Sequence, residues 1–231
     1  MQPRAAAVGA LAVALAFALG VFLGIAGHPE ADEGLGSGAL VAEDSVDVGF
    51  SRDMQDHHAQ AVEMSVMVRE ATADRQVRTL ALDILLTQQH QIGQMFGWLA
   101  AWGHPQASVR GPMAWMAGQA GGATATQGHE GHHGSSAPSA AVDDAGHRMP
   151  GMATARHMRQ LDSAEGRTAK RIYLQLMVPH HEAGVEMAAY AVAHATQSQV
   201  RELAEAIVDS QSAELQVLRS MLETRGGAGR G

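Results

Sequence analysis

Apolar side chains recur along this chain at helical rather than alternating spacing. Val77, Leu80, Ile84, Ile92, Met95 and Leu99 share one stripe of a 3.6-residue period, which predicts a helix with one buried face. The pattern marks four long helices, at roughly 46–70, 74–102, 166–195 and 198–224. Ala71-Thr72-Ala73 connects the first two, Gly103-His104-Pro105 stops the second, and Gly226-Gly227 follows the last. Glycine followed by proline is a common helix ending. Neither pair can bury its apolar stripe alone, so an all-α fold is expected, with two hairpins packed as a four-helix bundle.

The two hairpins are copies. At a constant offset of 123 residues, Met54, His57 and His58 align with Met177, His180 and His181, and Val62-Glu63-Met64 with Val185-Glu186-Met187. The same offset pairs Val77 with Val200, Leu80 with Leu203, Ile84 with Ile207, Gln88 with Gln211 and Leu99 with Leu222. Gap-free self-similarity over about fifty positions marks a duplicated supersecondary unit. The domain is expected over 44–224, with repeat 1 at 46–102 and repeat 2 at 166–224.

Between the repeats, 118–146 is rich in Gly, Ala, Ser and Thr and contains Gly128-His129-Glu130-Gly131-His132-His133-Gly134. Such a stretch holds too little apolar surface to fold alone. Before it, Gly111-Pro112-Met113-Ala114-Trp115-Met116 is a compact apolar patch expected to dock on the bundle. After it, Met149-Pro150-Gly151-Met152-Ala153-Thr154 leads into a short helix with Thr154 as its N-cap. Near the N-terminus, Arg4 precedes an uncharged run at 5–27, followed by Glu30, Asp32 and Glu33. At about 1.5 Å per residue this run spans a hydrocarbon core of roughly 30 Å. The order of charges places the remainder outside the cytoplasm. The run's length favours a membrane anchor, while Gly24-Ile25-Ala26 offers a signal-peptide cleavage site that would leave the protein secreted or periplasmic. Segment 28–43 reads as a linker and 225–231 as a flexible tail.

Charge and cysteine content narrow the chemistry. Against 24 Asp+Glu the chain sets 16 Lys+Arg, with no basic cluster, which argues against nucleic acid as a partner. With no cysteine there are no disulfides, no thiolate zinc site and no Cys nucleophile. Thirteen Met and thirteen His remain as soft and borderline ligands. On a helix, Met54, His57, His58 and Ala61 share a stripe with Met64 at its edge; Met177, His180, His181, Gly184 and Met187 repeat it. Thioether and imidazole together suit Cu(I), and Ag(I) as a comparable soft ion, whereas Mg(II) or Ca(II) demand oxygen ligands. Adjacent histidines diverge by about 100° on a regular helix. Pro179 is therefore expected to kink the second copy and turn its histidines together, where the first copy has Asp56.

Packing is the competing explanation. Met67, Met158 and Met221 read as core filler, and His90, His104, His157 and His194 as hydrogen-bonded core groups. His129, His132 and His133 are candidate ligands for Cu(II) or Zn(II), or else solvated spacers. Met113, Met116, Met149 and Met152 are auxiliary thioether ligands or packing residues. The helices contain no Glu-x-x-His unit for a di-iron site, although Glu63 and Glu186 fall near the histidine pairs. No phosphate loop or serine elbow stands out, so binding rather than catalysis is expected.

These blocks also resemble a known family. Asp47-Val48-Gly49-Phe50-Ser51-Arg52-Asp53-Met54-Gln55-Asp56-His57-His58-Ala59-Gln60-Ala61-Val62-Glu63-Met64 resembles the first signature of the bacterial domain-of-unknown-function family 305 (DUF 305). Thr87-Gln88-Gln89-His90-Gln91-Ile92-Gly93-Gln94-Met95, Gly97-Trp98-Leu99 and Trp102-Gly103 are similar to its second helix. Met149-Pro150-Gly151-Met152-Ala153-Thr154 and Leu176-Met177-Val178-Pro179-His180-His181 are similar to its second-half signatures. The resemblance implies a ferritin-like four-helix bundle, exported or membrane-anchored, with some relatives that bind copper and silver in the periplasm. Carried over by position, it implies Met54, His57, His58, Met64, Met177, His180, His181 and Met187 as metal ligands. Where the family tends to have Phe-Asp, this chain has Ala169-Lys170, while repeat 1 keeps Asp47. If that carboxylate orients a ligand histidine, the second site is weakened. The leading expectation is an extracytoplasmic protein that sequesters or transfers copper. The other is a cell-envelope structural or interaction bundle without metal.

Overall fold

The computed structural model describes residues 41–108, 110–117 and 149–226. The N-terminal run, the linker histidines His129, His132 and His133, and the end of the tail lie outside the described residues. Among the described residues there are six helices and no strand, and no helix is long and apolar enough to cross a membrane. The long helices are α1 (Val46–Ala71), α2 (Arg75–Ala101), α5 (Gly166–His194) and α6 (Ser198–Gly226). Two short ones, α3 (Ala114–Ala117) and α4 (Ala155–Asp162), stand between the hairpins in sequence.

Local chemistry sets the ends. Ser45 Oγ accepts from Val48 N at 3.2 Å, Asp74 Oδ1 from Gln76 N and Val77 N, and Thr154 Oγ1 from His157 N. Each side chain satisfies donors that an α-helix start leaves open. At the end of α2, Gly103 takes φ +75°, His104 N donates to Leu99 O at 2.8 Å and Gly103 N to Ala100 O. This is the paired closure that a left-handed glycine makes available.

α1 packs on α2 and α5 on α6, and the two hairpins meet through α1 and α5. Those two helices run antiparallel: the start of α1 meets the end of α5 through Asp47 and Thr196, and Ser65 Oγ meets Tyr173 OH at 3.1 Å further along. The apolar core falls into two clusters along this seam. Phe50, Met54, Met95, Met187, Ala191, Val200 and Ile207 build one; Met64, Val68, Val77, Ile84, Tyr173, Leu174 and Met177 build the other. The apolar patch docks as expected. Trp115 packs edge-on against Phe50 and Tyr190, and donates from Nε1 to Asp53 Oδ2 at 2.7 Å. Met67, Met158 and Met221 pack at the margin of the second cluster, as filler should.

The departure at Ala169-Lys170 has a structural meaning different from the one expected. The hydrogen bonds of the Asp47 carboxylate go to Thr196 and Gln197, not to a histidine. Fully buried, it accepts from Thr196 N, Thr196 Oγ1 and Gln197 N, binding the start of α1 to the turn before α6. One repeat later, Lys170 Nζ lies 2.8 Å from Asp74 Oδ2, in the turn before α2. Position 47 and its copy therefore each fasten the opposite hairpin's turn, one through a carboxylate and one through an ammonium.

Asp47→Ala should lower unfolding stability by about 2 kcal/mol, because charge-assisted bonds to part-buried donors are lost. Lys170→Ala should cost under about 1 kcal/mol, as expected for a single ion pair still partly open to solvent. Urea unfolding of both variants checks this; equal losses would contradict the assignment.

Candidate metal centre

Between the two apolar clusters the seam turns polar. His57 and His58 on α1, and His180 and His181 on α5, are all fully buried. Antiparallel packing brings the repeats together at their first histidines, with the His57 and His180 ring centroids 3.8 Å apart. The second histidines turn away into their own hairpins. His58 Nε2 lies 2.7 Å from Gln91 Oε1 on α2, and His181 Nε2 lies 2.8 Å from Glu214 Oε2 on α6. Within each adjacent pair the rings stay apart, at 6.5 Å for His57–His58 and 6.2 Å for His180–His181. Pro179 lies inside α5 without drawing the second pair together. The expected kink-driven convergence is absent because helical divergence of neighbours prevails in both copies.

The methionines flank this layer. Met54 and Met187 are buried in one apolar cluster, Met64 and Met177 in the other, so each side receives one thioether from each repeat. The small residues after the histidines serve packing. Ser65 bonds Tyr173, and a Cβ on Gly184 would overlap the side-chain oxygen of Gln211. Segment 149–154 covers the seam. Gln60 clasps Ala153 through both its backbone groups, at 2.7 and 2.9 Å. Gly151, at φ +76°, sits where a Cβ would overlap the Pro179 carbonyl, so only glycine fits that approach. Met149, Met152, Met113 and Met116 pack against the first apolar cluster.

Much of the polar layer has no internal partner. Both ring nitrogens of His57 and His180, Nδ1 of His58 and of His181, and the amides of Gln88 and Gln211 are buried without a hydrogen bond. Burial, then the neighbouring His58 and His181, push the His57 pKa down to about 3. His58 is likewise lowered to about 3, chiefly by burial and against the opposing bond from Gln91. Burial first, then His57, His181 and His58, hold His180 well below the usual histidine range. All three are neutral at ordinary pH, the form in which imidazole can ligate.

Other expected residues lie elsewhere. His90 and His194 are exposed rather than core groups, and the His194 ring lies tilted against Tyr190 at 4.2 Å. His157 is half-buried, while His104 bonds Glu43 and the Val41 carbonyl. Glu63 and Glu186 face outward. Among the described residues, no three or more of His, Asp and Glu gather closely enough to hold one ion. The donors present are imidazole and thioether, with Glu214 behind one of them. Such a set fits a soft cation and not a hard one. Pattern reading missed Gln91 and Glu214, although they occupy the same position in the two copies.

An all-helical bundle with a buried histidine layer between thioethers is the class of protein that this fold and site define. The chain belongs to the family described as Domain of unknown function (DUF305), which matches residues 47–222. It is similar to a DUF305 protein from Streptomyces coelicolor, at 40% identity and TM-score 0.66, covering 80% of this chain and 96% of that one. A DUF305 fragment from Deinococcus radiodurans matches at 27% identity and TM-score 0.58, with 78% and 96% covered. CopM in its Cu(I)-bound form shares the fold at 19% identity and TM-score 0.53, with 77% and 96% covered. CopM also has Cu(II)-bound and Ag-bound structures. No curated protein matches the chain.

The depressed pKa values fix a sign. Unfolded histidines take up protons near pH 6.5, whereas folded His57 and His58 resist until about pH 3. Their contribution is present above about pH 6.5 and is lost as pH falls from there toward 3. With three such histidines the metal-free protein should lose up to about 4 kcal/mol per pH unit below pH 6. Urea unfolding at pH 7.5, 6.5 and 5.5 with chelator present measures this, and a flat profile would contradict neutral burial.

Proposed function

We propose that this protein binds copper outside the cytoplasm, sequestering Cu(I) or passing it on, with Ag(I) as an equivalent ligand. One observation carries the reading. Six buried imidazole nitrogens at a single seam make no hydrogen bond of good geometry, the Pro150 backbone beside His57 and the His57 backbone beside His180 contributing only slightly. An unsatisfied buried polar group costs roughly 1–3 kcal/mol. Six of them would consume about as much free energy as an ordinary domain has in total. Each neutral ring has one lone pair, so a cation can take up to four of these six nitrogens and turn that part of the cost into binding energy, as metal sites coupled to folding do.

The ligands in this proposal are His57, His58, His180 and His181, with thioethers from Met54, Met64, Met177 and Met187. Two further points support it. The donors are soft, and CopM, which shares the fold, is bound to Cu(I), Cu(II) and Ag in its structures. Within the proposal, the duplicated hairpins form a ferritin-like bundle held outside the cell by the 5–27 run or released by its cleavage. His129, His132 and His133 supply a weaker Cu(II) or Zn(II) capture site. The role is binding, not catalysis.

The competing reading is a cell-envelope bundle whose histidines only pack. The partners found for His58 and His181 favour it, since those two rings are anchored within the protein. Titration against a chromophoric Cu(I) chelator distinguishes the two. His57→Ala, His58→Ala, His180→Ala and His181→Ala combined should weaken Cu(I) binding at least about 100-fold, since losing only a partner behind one ligand already costs about 10–100-fold. One hundred dissociation constants of free Cu(I) or Ag(I) should stabilise the native protein by about 2.7 kcal/mol. Absence of both effects leaves the packing bundle standing.

A further inference from the structure

The two hairpins repeat the same histidine but back it with different chemistry. His58 rests on an amide, Gln91, and His181 on a carboxylate, Glu214, one repeat apart and at nearly equal distances of 2.7 and 2.8 Å. An amide presents either its oxygen or its nitrogen after a simple flip, so Gln91 tolerates both tautomers of His58. An ionised carboxylate only accepts. The Glu214 carboxylate thus places a hydrogen of His181 on Nε2, and in the neutral ring that ligates a metal the lone pair is on Nδ1. That Nδ1 is buried and has no partner. His58 Nδ1 is likewise buried and unpartnered, but nothing in its surroundings commits it to the lone-pair form.

From this we infer that Glu214 is a positioning residue that holds His181 as a preformed Nδ1 donor, making the second hairpin the stronger half of the site. A carboxylate behind a ligating imidazole both orients the ring and raises its basicity, and its loss typically weakens metal affinity 10–100-fold. The two amides that complete the layer reinforce the asymmetry. Gln211 lies against Gly184 in the second hairpin, where a larger residue would displace it, while Ala61 stands at the matching place in the first. The copies thus differ around a shared histidine, with an amide behind one and a carboxylate behind the other.

The inference rests on the copper reading for its ligand, and the test separates the two. Metal-free protein labelled with 15N at histidine is examined by NMR at pH 7.5, comparing wild type, Glu214→Gln and Gln91→Glu. Wild-type His181 should show a single tautomer with hydrogen on Nε2, Glu214→Gln a mixture, and Gln91→Glu a single tautomer at His58 as well. Cu(I) competition on the same samples should show Glu214→Gln weaker by 10–100-fold and Gln91→Glu tighter by a similar factor. An unchanged His181 tautomer in Glu214→Gln overturns the positioning role, whether or not wild type binds Cu(I). A changed tautomer with unchanged Cu(I) affinity overturns Nδ1 of His181 as a donor. If wild type takes up no Cu(I), the copper reading falls, and the NMR comparison alone decides how Glu214 acts. Thermal unfolding of the metal-free variants, expected near wild type, shows that the fold is retained.

Discussion

Everything in this bundle is arranged around the burial of four imidazoles in the contact between α1 and α5. Polar groups placed there interrupt an otherwise apolar interface, and the core accordingly divides into a cluster on either side. The interruption is costly unless each ring nitrogen finds a partner. Two of the eight nitrogens find one in a neighbouring helix. Of the remaining six, one lone pair per neutral ring is what a cation can meet, and the low pKa values of His57, His58 and His180 express the same environment.

Much of the architecture was legible because its causes are local. Helix ends follow from Ser45, Asp74, Thr154 and Gly103, each acting on donors or acceptors within a few residues. The repeat exposed the histidine pairs, and their burial is the expected fate of a stripe shared with Met54, Met64 and Ala61. What eluded pattern reading is what joins residues far apart. Asp47 binds a turn some 150 positions away, and nothing near it distinguishes this from orienting a histidine. Gln91 and Glu214 sit 33 residues from their histidines, on a second helix whose sequence pattern shows only an apolar stripe. His90 and His194 are exposed, and a lone histidine carries no mark in the sequence of which face it occupies.

The site also differs in kind from two separate copies. Duplication suggests a pair of independent Met-x-x-His-His sites, one per helix. Antiparallel docking instead brings His57 to His180 and separates each histidine from its sequence neighbour. The unit of function is the junction of the repeats, which neither hairpin contains. Segment 149–154 follows the same logic. Its Gly151 reads the Pro179 carbonyl on α5 while Gln60 on α1 holds its backbone, so it bridges the two helices whose meeting it covers.

The reciprocal fastening of the turns has a consequence for how the halves recognise each other. Asp47 of the first hairpin meets amide hydrogens of the second, and Lys170 of the second meets Asp74 of the first. Two first hairpins docked in the same way would set Asp47 against Asp74, carboxylate facing carboxylate. Two second hairpins would leave Lys170 opposite Gln197, without an anion. Homotypic association is thus discouraged at both ends, and only the mixed pairing satisfies every charge. Divergence at two duplicated positions, 47/170 and 74/197, has given like folds unlike identities.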